Sequence, residues 1–258
     1  MPKIYKPKGA AREYSPLALN HYKGCDYGCS YCYVPKMMKR FNANYDHSKA
    51  SFPNPEKALK EIRTSAKKHR NSPEQVMLSF THDPYTTLND ELQITRQVLQ
   101  ILLENQIPVS ILSKGGSKLL PDFDVFAMFQ NNIQVGMTLT HIDEHDRYLW
   151  EEYTPSYIDR KATLQALYDA GIRTWVSLEP IINPPETLQI IEDTHKFVHH
   201  YKIGKLNYCS EHEKKVLWTN VLNEIVIKLR VLKKPFYIKN ALAKYKHSDL
   251  HFRGDERN

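Results

Sequence analysis

Repeated alternation of strand-like and helix-like segments predicts an α/β fold, a partial TIM barrel of (β/α)6 type. Three features carry this reading: short apolar runs bounded by turn residues, helical apolar stripes between them, and about six such units along 258 residues. A doubly wound open sheet is the other arrangement of the same elements.

The units follow in order. Residues 17–20 supply a first short strand. Asn54 can cap a helix that has Pro55 in its first position and Leu59, Ile62 and Ala66 on one face. Residues 76–80 form an apolar run that reads as a buried strand. Asn89 then caps a helix carrying Leu92, Leu99, Leu102 and Leu103. A strand over 108–112 and a short aromatic helix over 121–129 follow.

Residues 133–139 alternate strictly, with Ile133, Val135, Met137 and Leu139 on one side. Ser156 with Asp159 makes a capping box for a helix that stops at Gly171. A strand over 172–178 is closed by Glu179-Pro180, and Leu188, Ile191, His195 and Val198 stripe the next helix. Residues 201–207 give the sixth strand. Trp218, Leu222, Ile225, Leu229 and Leu232 mark the last long helix. On this division, 1–14 is an N-terminal extension, 15–232 the barrel core and 233–258 a basic C-terminal extension. The segment 33–53 also fits no unit.

Composition narrows the class. The chain is 41% hydrophobic and 25% charged, without an apolar run of membrane-spanning length and without an apolar stretch behind the basic N-terminus. The expectation is a soluble cytosolic protein with no membrane partner, acting as a monomer. The formal charge of +7 favours polyanions, although on charge alone ordinary solubility is the preferred reading because acidic residues are interleaved almost everywhere.

Three of the four cysteines lie within eight residues, in the order Cys25, Cys29, Cys32. Without export signals, such clustering points to a metal site over a disulfide framework. The C-x3-C-x2-C spacing follows directly on the first strand. Three thiolates are one short of the set that saturates a cubane cluster, which leaves one iron open to a further ligand. Gly24 and Gly28 let the loop wrap tightly enough for three sulfurs to converge. A zinc knuckle of Cys3His type, with His21 or His47 as fourth ligand, is the competing reading; zinc sites usually show two separated ligand pairs.

At this motif the chain resembles the radical S-adenosylmethionine (SAM) superfamily, whose signature C-x3-C-x-φ-C has an aromatic φ, met here by Tyr31. The longer stretch from Asn20 to Tyr33 is similar to the spore photoproduct lyase-related branch. Matches continue at Thr81-His82-Asp83-Pro84-Tyr85, at the strand ending in Ser113-Lys114, and at Lys202-Ile203-Gly204-Lys205-Leu206-Asn207.

The resemblance implies a radical SAM core with a 4Fe–4S cluster on Cys25, Cys29 and Cys32, and SAM at the C-terminal ends of the strands. One electron from the cluster then cleaves SAM to a 5′-deoxyadenosyl radical. By position, Thr81, His82 and Asp83 match the segment that meets the SAM amino group, and Lys114 matches a lysine that pairs with the SAM carboxylate. Thr138 and Thr140 match polar residues near the ribose. Glu179 ends a strand beside the adenosyl group, and Tyr31 covers the adenine or the cluster edge.

Period-two geometry independently puts Ser79, Thr81 and Asp83 on one side if the strand continues that far, and likewise Ser177 with Glu179, and Lys205 with Asn207 and Cys209.

The branch's namesake repairs a thymine dimer in DNA and uses a cysteine as hydrogen donor. Cys209 is the cysteine free for that task here; a small, half-buried structural cysteine is the plainer reading. Lys36, Lys39, Arg40 and Lys49 interleave with Tyr33, Phe41 and Tyr45. Lys233, Lys234, Lys239, Lys244 and Lys246 accompany Phe236, Tyr237 and Tyr245. Such mixtures suit phosphate neutralisation and base stacking. The expected function is therefore a radical SAM enzyme acting on a nucleobase, served by a flavodoxin- or ferredoxin-type electron donor. A peptide or small-metabolite substrate, and a non-enzymatic metal module, are the alternatives.

Overall fold

The computed structural model describes residues 2–41, 46–207, 209–252 and 256. Seven parallel strands form one curled sheet in strictly sequential order, β1 (Leu17–Ala18), β2 (Val76–Leu78), β3 (Val109–Ser113), β4 (Ile133–Thr138), β5 (Arg173–Ile181), β6 (His200–Lys205) and β7 (Phe236–Ile238). Each β-α-β connection returns on the same side, so the sheet curls into a partial TIM barrel with helices outside.

The helices are α1 (Tyr33–Met38), α2 (Pro55–Lys68), α3 (Thr87–Leu92), α4 (Ile94–Glu104), α5 (Phe123–Met128), α6 (Glu144–Trp150), α7 (Tyr157–Asp169), α8 (Pro184–Thr194), α9 (Ser210–Glu213), α10 (Trp218–Val231) and α11 (Asn240–Ala243). None of the described helices is long and apolar enough to cross a membrane.

Strand residues divide between two cores by the period of two. Ile133, Val135 and Met137 of β4 join the large core under the helices, as do Val176 and Leu178 of β5. The inner face carries a much smaller cluster of Ala18, Met77 and Trp175, with Tyr5, Tyr14, Phe80 and Leu112 packed on it. Gly136 pairs with Trp175 across β4 and β5, and a Cβ on it would lie 2.3 Å from the indole. That contact requires glycine: the interior is narrow, and the ring occupies the space a side chain would need.

Several local features follow the sequence closely. Asn54 caps α2, its side chain accepting from Lys57 N at 3.2 Å, with Pro55 first in the helix. Gly171, at φ +75°, ends α7.

Other features differ, each for a physical reason. The helix expected after Asn89 is two helices, because Gln93 takes a left-handed conformation at φ 49°. Asn89 lies inside α3 and caps α4 instead, its Oδ1 accepting from Thr95 N at 2.9 Å. Ser156 caps α7 through Asp159 N at 3.1 Å, but the Asp159 carboxylate accepts from Ser117 N at 2.9 Å, so the capping box is one-sided. β5 runs through Glu179-Pro180 to Ile181, with a register shift between Leu178 and Ile181.

The two flanking segments contribute directly to the barrel. Residues 236–238, set aside in the sequence as part of an extension, add the seventh strand beside β6. Tyr5 pairs antiparallel with Ala18 and covers the β1 edge. Tyr14 enters the interior, its ring 6.1 Å from that of Trp175, while its carbonyl accepts from Lys202 Nζ at 2.7 Å. Glu13 Oε2 accepts from Tyr237 Oη at 3.0 Å and from Asn240 N at 2.7 Å. Residues 2–14 thus span from β1 to β7 along the open side of the sheet.

Candidate active site

The cysteine loop leaves β1 at the C-terminal end of the sheet, where barrels of this kind build their sites. Its path is fixed by backbone bonds to two other segments, residues 47–51 and 150–151. Lys23 pairs with Ser51, Cys25 N donates to His47 O at 2.8 Å, and Ser30 N donates to Trp150 O at 2.9 Å. Cys29 forms an isolated bridge with Glu151. Gly24 sits at φ +73°, and a Cβ there would come 1.9 Å from Lys49 O, so glycine is required.

All four cysteines are free thiols. Burial pushes Cys25 up to about 12, with the Asp83 charge adding to it, and burial raises Cys29 and Cys32 as well. Uncharged in isolation, these thiols become good ligands only when a cation accepts their deprotonated form.

The donor geometry separates a cluster from a single zinc ion. Four ligands around one zinc at about 2.3 Å bring sulfurs to within about 3.8 Å of each other. Among the described residues, the set of three His, Cys, Asp or Glu ligand atoms lying mutually within 4.8 Å is His141, Asp146 and Glu186, and the cysteine sulfurs do not form one. His47 Nε2 approaches Cys32 Sγ at 3.6 Å, which makes one Cys–His pair but no convergent tetrad. His21 is buried with Nε2 on Thr95 Oγ1 at 3.0 Å. The three cysteine sulfurs therefore do not converge as closely as one zinc ion requires.

Behind the loop lies a charged network that the sequence did not reveal. Glu151 and Arg160 are both fully buried, with Arg160 Nη1 donating to Glu151 Oε2 at 2.8 Å and to Thr138 O at 3.0 Å. Glu151 Oε1 also accepts from Thr140 Oγ1 at 2.9 Å and from the Tyr31 hydroxyl. Burial alone would raise the Glu151 carboxyl, but the Arg160 and Lys114 charges overcome it and hold the group at about 2. Lys114 Nζ lies 5.5 Å over the Tyr31 ring. Burial works against its charge, yet Cys29, Glu151 and Asp83 raise its pKa.

Other anticipated residues fall into distinct places. β2 stops at Leu78, so the period-two alignment of Ser79, Thr81 and Asp83 does not hold. Asn20 Oδ1 takes the backbone N–H of Phe80 at 2.8 Å and of Thr81 at 3.3 Å. His82 turns into the scaffold, its Nε2 meeting Ser79 Oγ at 2.8 Å and Tyr22 N at 3.3 Å. Asp83 organises the end of β3, accepting from Ser113 Oγ at 2.6 Å, Lys114 N at 2.7 Å and Tyr85 N at 2.9 Å. Of the triplet, Thr81 is the one whose side chain shows no partner inside the protein among the contacts resolved here.

Glu179 stands at the barrel mouth with a two-oxygen grip on Lys239 Nζ, 2.6 and 2.9 Å, and accepts from Tyr14 Oη. A Cβ on Gly204 would lie 2.6 Å from its carboxyl carbon, so β6 carries glycine where the carboxylate rests. Lys202, below it, is held down to about 8 by burial and by the nearby Lys239 charge. Cys209 lies past β6, half-buried against the core, its N–H on Glu213 Oε1 at 3.0 Å. Tyr14, Glu151 and Arg160 were not singled out by sequence, whereas Lys202 opened the match at the sixth strand.

The model of the radical SAM superfamily matches residues 19–198, well over half the chain and including the whole cysteine loop. The chain belongs to the radical SAM superfamily. Members use a 4Fe–4S cluster and SAM, and Cys25, Cys29 and Cys32 are the residues here that would hold the cluster. When bound, the pair supplies one-electron reductive cleavage of SAM.

Among relatives, an uncharacterized protein of Methanocaldococcus jannaschii is 28% identical over 198 residues, 76% of this chain and 72% of that one. A spore photoproduct lyase mutant with bound AdoMet and dinucleoside spore photoproduct shares the fold at TM-score 0.60 and 15% identity, over 82% of this chain and 62% of that one. A second lyase mutant reaches TM-score 0.69 at 10% identity, over 92% and 78%. SuiB of Streptococcus suis bound to S-adenosylmethionine gives 0.63 at 12%, over 91% and 52%. This radical SAM chain therefore spans under two thirds of the first of these lyases and about half of SuiB.

Proposed function

We propose that this radical SAM enzyme acts on a nucleobase within a nucleic acid, by repair or modification of the spore photoproduct lyase-like kind. The observation that carries the reading is the surface beside the cysteine loop. α1 starts directly after Cys32 and leads into Lys39, Arg40 and Phe41, all exposed, the phenyl ring to 81%. Lys36 and Lys49 are exposed nearby, and Tyr33 anchors the helix through its hydroxyl on Phe80 O at 2.6 Å. Basic side chains around a bare aromatic ring suit phosphates and an unstacked base. Tyr45 lies outside the described residues.

The C-terminal basic group supports the reading less. Phe236 and Lys239 are buried in the barrel, Lys234 Nζ donates to Val198 O at 3.0 Å, and Tyr245 packs against Trp218. Those residues serve folding first.

In this reading SAM lies between the cluster and the strand ends. Thr81 and the end of β2 face its amino group, Lys114 its carboxylate, Thr138 and Thr140 the ribose, Tyr31 and Glu179 the adenosyl side. Asp83 acts through Ser113 and Lys114, which it holds in place. Cys209 is the candidate hydrogen donor, and a flavodoxin- or ferredoxin-type protein in the cytosol supplies the electron.

The test uses anaerobically reconstituted enzyme with deuterated oligonucleotides. Label in 5′-deoxyadenosine, with oligonucleotide affinity falling by roughly 0.7–0.9 logarithmic units per tenfold rise in salt for each phosphate contacted, supports the proposal. Absence of both at low salt, with label arriving from a deuterated peptide, rejects it.

A further inference from the structure

We infer that His141, Asp146 and Glu186 form a second metal site, separate from the cysteine loop and suited to a first-row divalent cation such as zinc or manganese. Their ligand atoms all lie within 4.8 Å of one another. The residues come from three segments: His141 from the exit of β4, Asp146 from α6 and Glu186 from the first turn of α8.

His141 is the observation that points to a ligand. Its side chain is 0% exposed, and neither Nδ1 nor Nε2 has a hydrogen-bond partner. A buried imidazole with unpaired nitrogens is unfavourable unless something takes up its lone pair. Nδ1 stands 3.9 Å from Glu186 Oε2, too far for a hydrogen bond. Two tetrahedral ligands of one cation at about 2.0–2.2 Å stand about 3.3–3.6 Å apart, so a shift of a few tenths of an ångström would bring the pair onto one ion. Burial lowers the His141 pKa in spite of Glu151, Glu186 and Asp146, so the ring is neutral and its lone pair available.

The carboxylates are placed for the task. Glu186 is oriented by Ile142 N, which donates to Oε2 at 2.5 Å, and by Asn183 Nδ2, which donates to Oε1 at 3.0 Å. Such outer bonds fix a metal-binding carboxylate. Asp146 and Glu186 are only half-buried, which leaves room for water to complete the coordination. One imidazole with two carboxylates favours zinc or manganese over soft copper(I), and offers too few oxygens for calcium.

The site also has a structural consequence. The Trp150 ring stacks on His141 at 6.3 Å and 18°, and the next residue, Glu151, bridges to Cys29. A cation here would join α6, α8 and the β4 exit into one rigid backing for the cysteine loop.

The test loads anaerobically reconstituted enzyme, its cysteines already occupied by the cluster, with Zn2+ or Mn2+ and counts metal after desalting. The expected result is one equivalent beyond the cluster iron, with a raised Tm. Asp146→Asn and Glu186→Gln should each weaken binding at least about tenfold while iron content stays constant. Cys25→Ala should lose iron and keep the added metal. Wild-type enzyme that binds no Zn2+ or Mn2+ beyond its iron, or Asp146→Asn and Glu186→Gln enzymes that bind as wild type does, would overturn the inference.

Discussion

Glu151 and Arg160 meet at 2.8 Å with no part of either side chain in contact with solvent, and Glu151 is itself the residue whose backbone bridges to Cys29. Arg160 Nε and Nη2 have no partner in the protein. Both carboxylate oxygens are thus hydrogen-bonded, by Arg160, Thr140 and Tyr31, while two of the guanidinium nitrogens are buried without a partner.

Arg160→Met should leave Glu151 buried and uncompensated, at a stability loss on the order of 3–5 kcal/mol. Chemical denaturation of the iron-free protein measures it. The double variant Glu151→Leu/Arg160→Met should recover much of that loss; equal loss in both would show that packing, and not the unpaired charge, sets the cost.

Acid stability should carry the signature of the same carboxylate. The folded protein holds Glu151 at about 2, below its ordinary 4.5. A carboxyl depressed on folding stabilises above the unfolded value, and that contribution fades as pH falls from about 4.5 towards 2. Glu151→Gln should flatten this part of the stability–pH curve, measured by denaturant midpoints.

Gly24→Ala should fold its barrel and fail to take up iron. The added methyl meets Lys49 O and the backbone keeps φ +73°, so the loop must shift while the strands need not. Circular dichroism should match wild type, with iron per chain sharply reduced. Normal iron content would mean the loop tolerates another path.

Alanine at Cys25, Cys29 or Cys32 should abolish SAM cleavage and strip most iron. Cys209→Ala should retain both, because Cys209 lies beyond β6 against the core and outside the loop. Iron analysis with 5′-deoxyadenosine quantification separates the two classes.

Lys202 should titrate near pH 8, where burial and Lys239 hold it. A lysine depressed on folding makes the native state bind fewer protons than the unfolded chain between about 8 and 10.5, so its destabilising effect is relieved as pH rises through that window. Lysine-resolved NMR would show one ammonium titrating well ahead of the rest; a value above 10 would contradict the buried setting.

The cysteine motif was legible because its three cysteines sit within eight residues, and a local loop is written locally. Strand and helix periods were legible because burial on one face repeats every 2 or 3.6 residues. His82 and Asp83 show where this stops. Both look like site residues beside a strand end, yet they are used up by Ser79, Tyr22, Ser113 and the β3 exit. Which polar residue faces a ligand and which faces the scaffold depends on where β2 ends, and no pattern in residues 76–83 marks Leu78 as its last residue.

By itself, then, the sequence determined the class of fold, the superfamily and the cofactors that superfamily uses, all legible in short-range pattern. The tertiary structure alone decided the Glu151–Arg160 pair, the Tyr14–Glu179–Lys239 group, the seventh strand and the meeting of His141, Asp146 and Glu186. Each of these joins residues from different elements of the chain, and their contact exists only because sequential parallel strands bring the ends of those elements to one side of a curled sheet.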